Sequence, residues 1–163
     1  MVLIKFLYLL DRTALLKWGS PITGDEYFSM RWGPLLGHTH DLITEDLPEE
    51  EAQASFWKNH IAQEGYDVVL THDPGDDELS KADEELISEV FDTFYSKYKE
   101  LNYNRFKFCD YLHTILPEYK TAEQGQCFPL HYHDILVAGN KQPEEIKEVE
   151  ALLTSLGRMQ RSR

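Results

Sequence analysis

The stretch that decides the fold runs from Tyr8 to Ile43 and reads YLLDRTALLKWGSPITGDEYFSMRWGPLLGHTHDLI. Together with the apolar residues just before it, its first part predicts a helix over residues 2–18. Apolar residues lie on most sides of this helix, and such a helix belongs in the middle of a domain. Gly19 and Pro21 are expected to end it, because glycine suits a C-terminal cap and proline cannot continue a helix.

The second part of the stretch has the alternation of a short strand. Residues 26–32 place apolar and polar side chains on opposite faces, which predicts a half-buried strand. The Gly-Pro pair at 33–34 is expected to end it in a corner, and residues 35–43 have a weak helical pattern. Asp25 is expected either to cap nearby amides or to face the cation of a partner. Trp32 either anchors the core under the corner or lies exposed for binding.

Helix signals dominate the rest of the chain. A second strand is predicted over residues 66–72, paired with the strand around Tyr27. Capping residues and apolar stripes predict further helices over residues 49–63, after Ser80, and over residues 105–116, 130–137 and 143–156. The expected fold class is therefore mainly α with a small antiparallel β element, as a compact helical domain around a buried N-terminal helix.

Composition and charge limit the class of protein. The chain has 163 residues, 42% hydrophobic and 28% charged, which is ordinary for one globular domain. We expect this domain over residues 1–157 and a basic tail over residues 158–163. Residues 45–85 include 14 acidic and two basic residues, which account for 12 of the 13 net negative charges. This segment either is a solvated face or attracts basic partners, and it disfavours nucleic acid.

Cysteine and histidine residues form the pattern that comes nearest to a metal site. Cys109 and Cys127 are each followed four positions later by a histidine, His113 and His131, and His133 is close by. Such spacing could hold zinc on a helix face. Cys109 also falls on an apolar stripe, however, which favours a structural role. The two cysteines could pair, but free thiols are favoured, and the small cysteine content is typical of a cytoplasmic protein.

Catalytic motifs are missing from the sequence. His38 and His40 could form a metal-binding or general-base pair, but no nucleophile or second carboxylate motif accompanies them. Glycine-rich phosphate loops, nucleophile elbows and zinc-protease motifs are also missing. Apolar runs are far shorter than the roughly 20 residues that a membrane-spanning helix needs. We therefore expect no enzyme, no catalytic residue, no metal, no cofactor and no membrane partner.

Three N-terminal motifs resemble the pattern of one family. Residues 5–12 (KFLYLLDR), 21–27 (PITGDEY) and 29–34 (SMRWGP) are similar to its motifs K-L-L-Y-x-x-D-R, G-x-P-I-T-G-D-x-Y and A-M-K-Y-G-P-V. That family is the Panacea domain, also called the SocA-like antitoxin domain. The helix start near residues 76–80 and the segment 112–119 resemble later family motifs. The resemblance touches most of the chain and is specific in the first 45 residues.

The resemblance implies a mostly helical antitoxin that binds and neutralises a cognate toxin. A toxin with a basic surface would be captured faster by the acidic segment. The alternative is an adaptor or phage-associated interaction module that delivers a partner to a protease such as ClpXP. The expected partner-binding residues are Asp11, Arg12, Asp25, Tyr27, Arg31, Trp32, Gly33 and Pro34.

Overall fold

The computed structural model describes residues 2–44, 56–65 and 67–156, which form seven helices and five short strands. The helices are α1 (Val2–Trp18), α2 (Gly37–Thr44), α3 (Phe56–His60), α4 (Lys81–Glu100), α5 (Arg105–Ile115), α6 (Tyr132–Ala138) and α7 (Pro143–Ser155). The strands are β1 (Tyr27–Met30), β2 (Gly33–Leu36), β3 (Ile61–Glu64), β4 (Asp67–Leu70) and β5 (Phe128–Leu130). The expected fold class is confirmed.

Helix α1 packs against several elements, as its apolar sides predict. Helices α4 and α6 and strand β2 all contact it, and Tyr8 and Leu15 on it are fully buried. Gly19 follows the helix with a φ of 75°, and its amide donates to the Leu15 carbonyl at 2.9 Å. Glycine adopts this left-handed conformation at little cost, so the predicted end of the helix is confirmed.

Strand β1 is the central strand of an antiparallel sheet with the order β2–β1–β5. Met30 pairs with Gly33, so Arg31 and Trp32 alone connect β1 to β2. The predicted strand over 26–32 therefore ends early. Gly33–Leu36, expected as a corner and the start of a helix, is instead the partner strand.

Strands β3 and β4 form a separate antiparallel hairpin. The expected pairing of residues 66–72 with the strand around Tyr27 is wrong, because β4 pairs with its neighbour β3 and β1 pairs with β5. Closing a short loop costs less chain entropy than closing a long one, which favours this local pairing. In the helix expected over 49–63, residues 56–60 are helical and 61–63 are strand, while 49–55 lie outside the described residues.

The helices predicted to begin after Ser80, at residue 105 and at residue 143 are confirmed. Ser80 and Asp83 form a reciprocal capping box at the start of α4, and Asn104 accepts two amides at the start of α5. Pro143 begins α7 as its first residue. The helix expected over 130–137 begins two residues late, at Tyr132, because the preceding residues add β5 to the sheet.

One cluster of buried hydrophobic residues extends along the described chain from Ile4 to Leu153. At its centre the ring of Tyr27 meets those of Tyr8 and Tyr132 edge to face, with centroids 5.4 and 5.3 Å away. None of the helices in the described ranges has the length and apolarity needed to cross a bilayer. The predicted tail over 158–163 lies outside the described residues.

Candidate partner-binding site

Asp11 fixes the loop that follows helix α1. Its side chain is fully buried, and its Oδ1 accepts the amides of Ile22 and Thr23 at 2.9 and 2.8 Å. Its Oδ2 accepts the hydroxyls of Thr23 and, at 2.8 Å, of Tyr27. Burial raises the pKa of Asp11, although these donors oppose the shift. Burial and the nearby Asp11 raise the pKa of Tyr27 well above its usual value, so the phenol keeps the proton that it donates.

Asp25 fixes the start of helix α2 in the same way. Its Oδ1 accepts the amides of Glu26 and His38 at 2.7 and 2.9 Å. Its Oδ2 accepts the amide and the hydroxyl of Thr39 at 2.8 and 2.7 Å. The carboxylate thus satisfies amides in the first turn of α2, which have no partners within the helix. Of the two roles expected for Asp25, the structure shows the capping one.

Arg12 joins helix α1 to the segment after α5. Its Nε and Nη2 donate to the two carboxylate oxygens of Glu118 at 2.6 and 3.3 Å, and Tyr8 donates to the same carboxylate at 2.8 Å. Glu118 is 5% exposed. Sequence reasoning missed Glu118, because no local pattern connects residues separated by more than a hundred positions. This buried, two-pronged contact positions Arg12 within the chain.

Arg31 and Trp32 form the turn of the β1–β2 hairpin. Neither has a positive φ, and Gly33, with a φ of 97°, supplies the left-handed residue that such a turn needs. Tyr119 donates to the Met30 carbonyl at 2.5 Å, which holds the end of β1. Gly33 and Pro34 are buried, whereas Arg31 and Trp32 are exposed.

The exposed hairpin turn continues onto the start of helix α5. The rings of Trp32 and Phe106 meet edge to face with centroids 5.3 Å apart, and they are 39% and 44% exposed. The guanidinium of Arg31 lies 5.0 Å from the centroid of the Trp32 ring, and that of Arg105 lies 5.0 Å from the centroid of the Phe106 ring. We call these four residues the tip surface. Tryptophan and arginine are the residue types that most often dominate binding between proteins.

Comparison with known proteins places this fold in a family. The family model described as "Antitoxin SocA-like, Panacea domain" matches residues 3–115. The chain belongs to the SocA-like Panacea domain family. Comparisons with curated proteins and with solved structures gave no match. An antitoxin family is in general non-enzymatic and in general has a toxin as its partner.

The structure divides the residues expected to bind a partner of this Panacea domain into two groups. The first group is engaged within the chain. Its buried members Asp11, Asp25 and Tyr27 form internal hydrogen bonds, and Arg12 forms an ion pair with Glu118. The hairpin residues 31–34 are brought together, and of these only the side chains of the turn are exposed. The partner-binding role of all eight residues stays a prediction. The exposure of Arg31 and Trp32 favours this role for the tip surface.

The acidic segment of the Panacea domain lies on its surface as far as it is described. Residues 45–55 are outside the described ranges. Exposed carboxylates follow on the β3–β4 hairpin, the loop after it and the start of α4, namely Glu64, Asp67, Asp73, Asp76, Asp77, Glu78, Glu84 and Glu85. This surface would attract a basic partner.

The cysteine and histidine residues do not converge. Cys109 is buried and Cys127 is exposed, and both are free thiols. Within residues 2–44, 56–65 and 67–156, no three His, Cys, Asp or Glu side chains are grouped as a metal site would require. His113 instead stacks on Tyr119 with ring centroids 4.5 Å apart.

Proposed function

We propose that this protein is the antitoxin of a bacterial or phage toxin–antitoxin system and neutralises a cognate toxin by direct binding in the cytoplasm. The observation that carries the proposal is the match of residues 3–115 to a SocA-like antitoxin family. Binding and neutralisation need a rigid presented surface and no catalytic group. The protein is accordingly proposed to act without enzymatic activity of its own.

The tip surface is proposed as the direct contact with the toxin. Trp32 is half exposed on a two-residue turn, and its ring is held by Phe106 on one side and by the Arg31 guanidinium on another. A side chain held in this way loses little conformational freedom when a partner covers it. Its truncation should therefore cost affinity as a binding hot spot does.

The acidic surface is proposed to steer the toxin before contact. Toxins that act on nucleic acid or ribosomes need basic surfaces, and a partner with 13 net negative charges attracts such surfaces over several ångströms. The association rate, more than the lifetime of the complex, should then depend on salt concentration.

Co-expression with a toxin encoded beside this protein tests the proposal. The unaltered antitoxin should restore growth, and Trp32→Ala should weaken rescue and lower toxin affinity at least tenfold. Trp18→Ala is a matched control, because Trp18 is also 39% exposed and also lies beside a cation, with Lys17 Nζ 5.7 Å from its ring. Trp18 is the last residue of α1 and is not part of the tip surface, so this variant should leave rescue unchanged.

The outcomes separate the function from the contact surface. Absence of rescue by the unaltered protein would contradict the antitoxin function for that toxin. Full rescue by Trp32→Ala and by Arg31→Glu would retain the function and reject the tip surface. Circular dichroism of each variant checks that the fold is kept.

A proteolysis adaptor would also restore growth, by handing the toxin to a protease such as ClpXP. The two mechanisms differ in what the purified proteins do. A neutralising antitoxin should inhibit the toxin in a stoichiometric complex without any protease, and rescue should persist in a host that lacks the protease. Rescue that disappears with the protease, with toxin levels restored, would favour the adaptor.

A further inference from the structure

A cleft beside the tip surface has no role in the function proposed above. It has a volume of about 400 Å³ and lies between the start of α1, the β1–β2 hairpin, α2, the β3–β4 hairpin and the loop 123–126. This volume is within the range of small-molecule sites. Its apolar lining consists of Ile4, Met30, Trp32, Leu35, Ile43 and Val68.

Lys5 brings a cationic group to this cleft. The residue lines the cleft but is only 4% exposed. Among the described residues its Nζ has one hydrogen bond, to the Pro34 carbonyl at 2.5 Å, and no carboxylate lies within 4.0 Å. An ammonium group has three donors, and a buried charge without a counter-charge is costly. The cleft is also lined by polar residues, including the carboxylate of Glu123, but this carboxylate makes no ion pair with Lys5. A buried ammonium group without a counter-charge, next to the apolar part of the lining, indicates a site for an anion.

Gly33 lets the backbone of the hairpin turn approach this amine closely. A Cβ atom at this position would lie 3.3 Å from Lys5 Nζ and 3.9 Å from His113 Nε2. The positive φ of Gly33 also favours glycine, so the close approach to Lys5 and the turn depend on the same residue. His113 Nε2 is buried and has no hydrogen-bond partner within the described part of the chain. Two nitrogen atoms without anionic partners thus lie close to Gly33.

We propose that the cleft binds a small hydrophobic carboxylate, with its head group on Lys5 Nζ and its apolar body against Met30, Leu35 and Ile43. A single buried ammonium matches a monoanion. Phosphate groups are usually held by several donors or a bidentate arginine. Arg31 also lines the cleft, but its guanidinium lies against the Trp32 ring and donates to Gln124, so it is engaged away from Lys5. The apolar lining would shield the head group from water and strengthen its attraction to the amine.

Calorimetry with octanoate, octanol and octylamine tests the charge of the occupant. We expect octanoate to bind at least tenfold more tightly than octanol. The chain has a net charge of −13, so non-specific attraction would favour octylamine over octanoate. A preference for the carboxylate therefore reports a local positive site. Equal affinity for octanoate and octanol, or tighter binding of octylamine, would overturn the proposal.

Lys5→Met tests the residue, because methionine keeps the length and apolar stem without the charge. Its affinity for octanoate should fall at least tenfold, to the level of octanol, while the affinity for octanol should stay unchanged. Lys147→Met, which alters an exposed lysine on α7 outside the cleft, should bind octanoate like the unaltered protein. Undiminished octanoate binding by Lys5→Met would reject the assignment.

A measurement on the unaltered protein covers the case in which Lys5→Met does not fold. Carbon-13-labelled lysine gives a separate signal for the buried Lys5 side chain. Octanoate should shift this signal, with nuclear Overhauser contacts to Met30 and Leu35, whereas exposed lysines should not respond. Saturating octanoate that leaves the Lys5 signal unmoved would reject the site. The test needs no toxin, so its outcome is independent of the antitoxin function.

Discussion

Lys5 places a positive charge in the interior. Among the described residues, its amine donates one hydrogen bond, to the Pro34 carbonyl oxygen. Burial lowers the pKa of its amine from 10.5 to about 8, against a small opposing effect of Cys109. Between these two pH values the unfolded chain holds the proton and the folded chain does not. The unfolded state then binds more protons, so the contribution of Lys5 to the free energy of unfolding rises with pH.

Lys5→Met should remove this pH dependence. Compared with the variant, the unaltered protein should gain up to about 3 kcal/mol in free energy of unfolding between pH 8 and pH 10.5. Urea denaturation of both proteins across this range measures the difference. Burial raises the pKa values of Tyr8 and Tyr27, and these groups titrate in both proteins, so their effects largely cancel. A difference that stays constant with pH would contradict a displaced lysine pKa.

At the scale of the element, two aspartates that accept amides at helix starts differ in burial. Asp25 is 8% exposed and satisfies amides of α2, whereas Asp83 accepts the Ser80 amide at the exposed start of α4. Water can replace a lost acceptor only at the exposed site. Removing the carboxylate should therefore lower the free energy of unfolding more at Asp25 than at Asp83.

Asp25→Ala should lower the free energy of unfolding by about 3 kcal/mol, because the amide and hydroxyl of buried Thr39 stay without an acceptor. Asp83→Ala, the matched control, should cost about 1 kcal/mol. Urea denaturation of the two variants measures both values. An Asp25→Ala cost no larger than that of Asp83→Ala would contradict the capping role and return Asp25 to the partner-facing alternative.

Elements with local signals could be predicted from the sequence, and elements that depend on distant partners could not. Helices α1, α4, α5 and α7 follow their caps, because a cap and the amides it satisfies are close in the chain. The pairing of β5 with β1 joins residues about a hundred positions apart, and no local sequence pattern indicates it. Glu118 was missed for the same reason, since its partner Arg12 lies in the first helix.

The candidate site shows the same limit of sequence reasoning. The motif around Asp11 and Asp25 is dense in polar residues, which suits either a binding surface or an internal network. Spacing cannot decide between them, because the decision depends on whether another element covers the carboxylates. The structure buries both carboxylates, whereas Arg31 and Trp32 on the hairpin turn are the exposed members of the predicted partner-binding set.

At the scale of the whole molecule, residues beyond the family match complete the core. Strand β5 adds to the sheet, and Glu118 binds Tyr8 and Arg12. Eight buried members of the main hydrophobic cluster follow residue 115, namely Leu116, Tyr119, Leu130, Tyr132, Ile135, Leu136, Ile146 and Leu153. Burial of such side chains contributes about 2 kcal/mol each. Their sum is comparable to the total stability of a typical domain, about 5–15 kcal/mol.

A chain cut after Ile115 should therefore fail to fold, although it contains the whole family match. It should lack near-ultraviolet circular dichroism and a cooperative urea transition, because Tyr8 and Tyr27 lose the rings and strand that cover them. A chain cut after Leu156 keeps every described element and is the control, which should unfold within about 1 kcal/mol of the full chain. Cooperative unfolding of the shorter chain would show that residues 3–115 fold alone and that the C-terminal helices are an addition to a complete core.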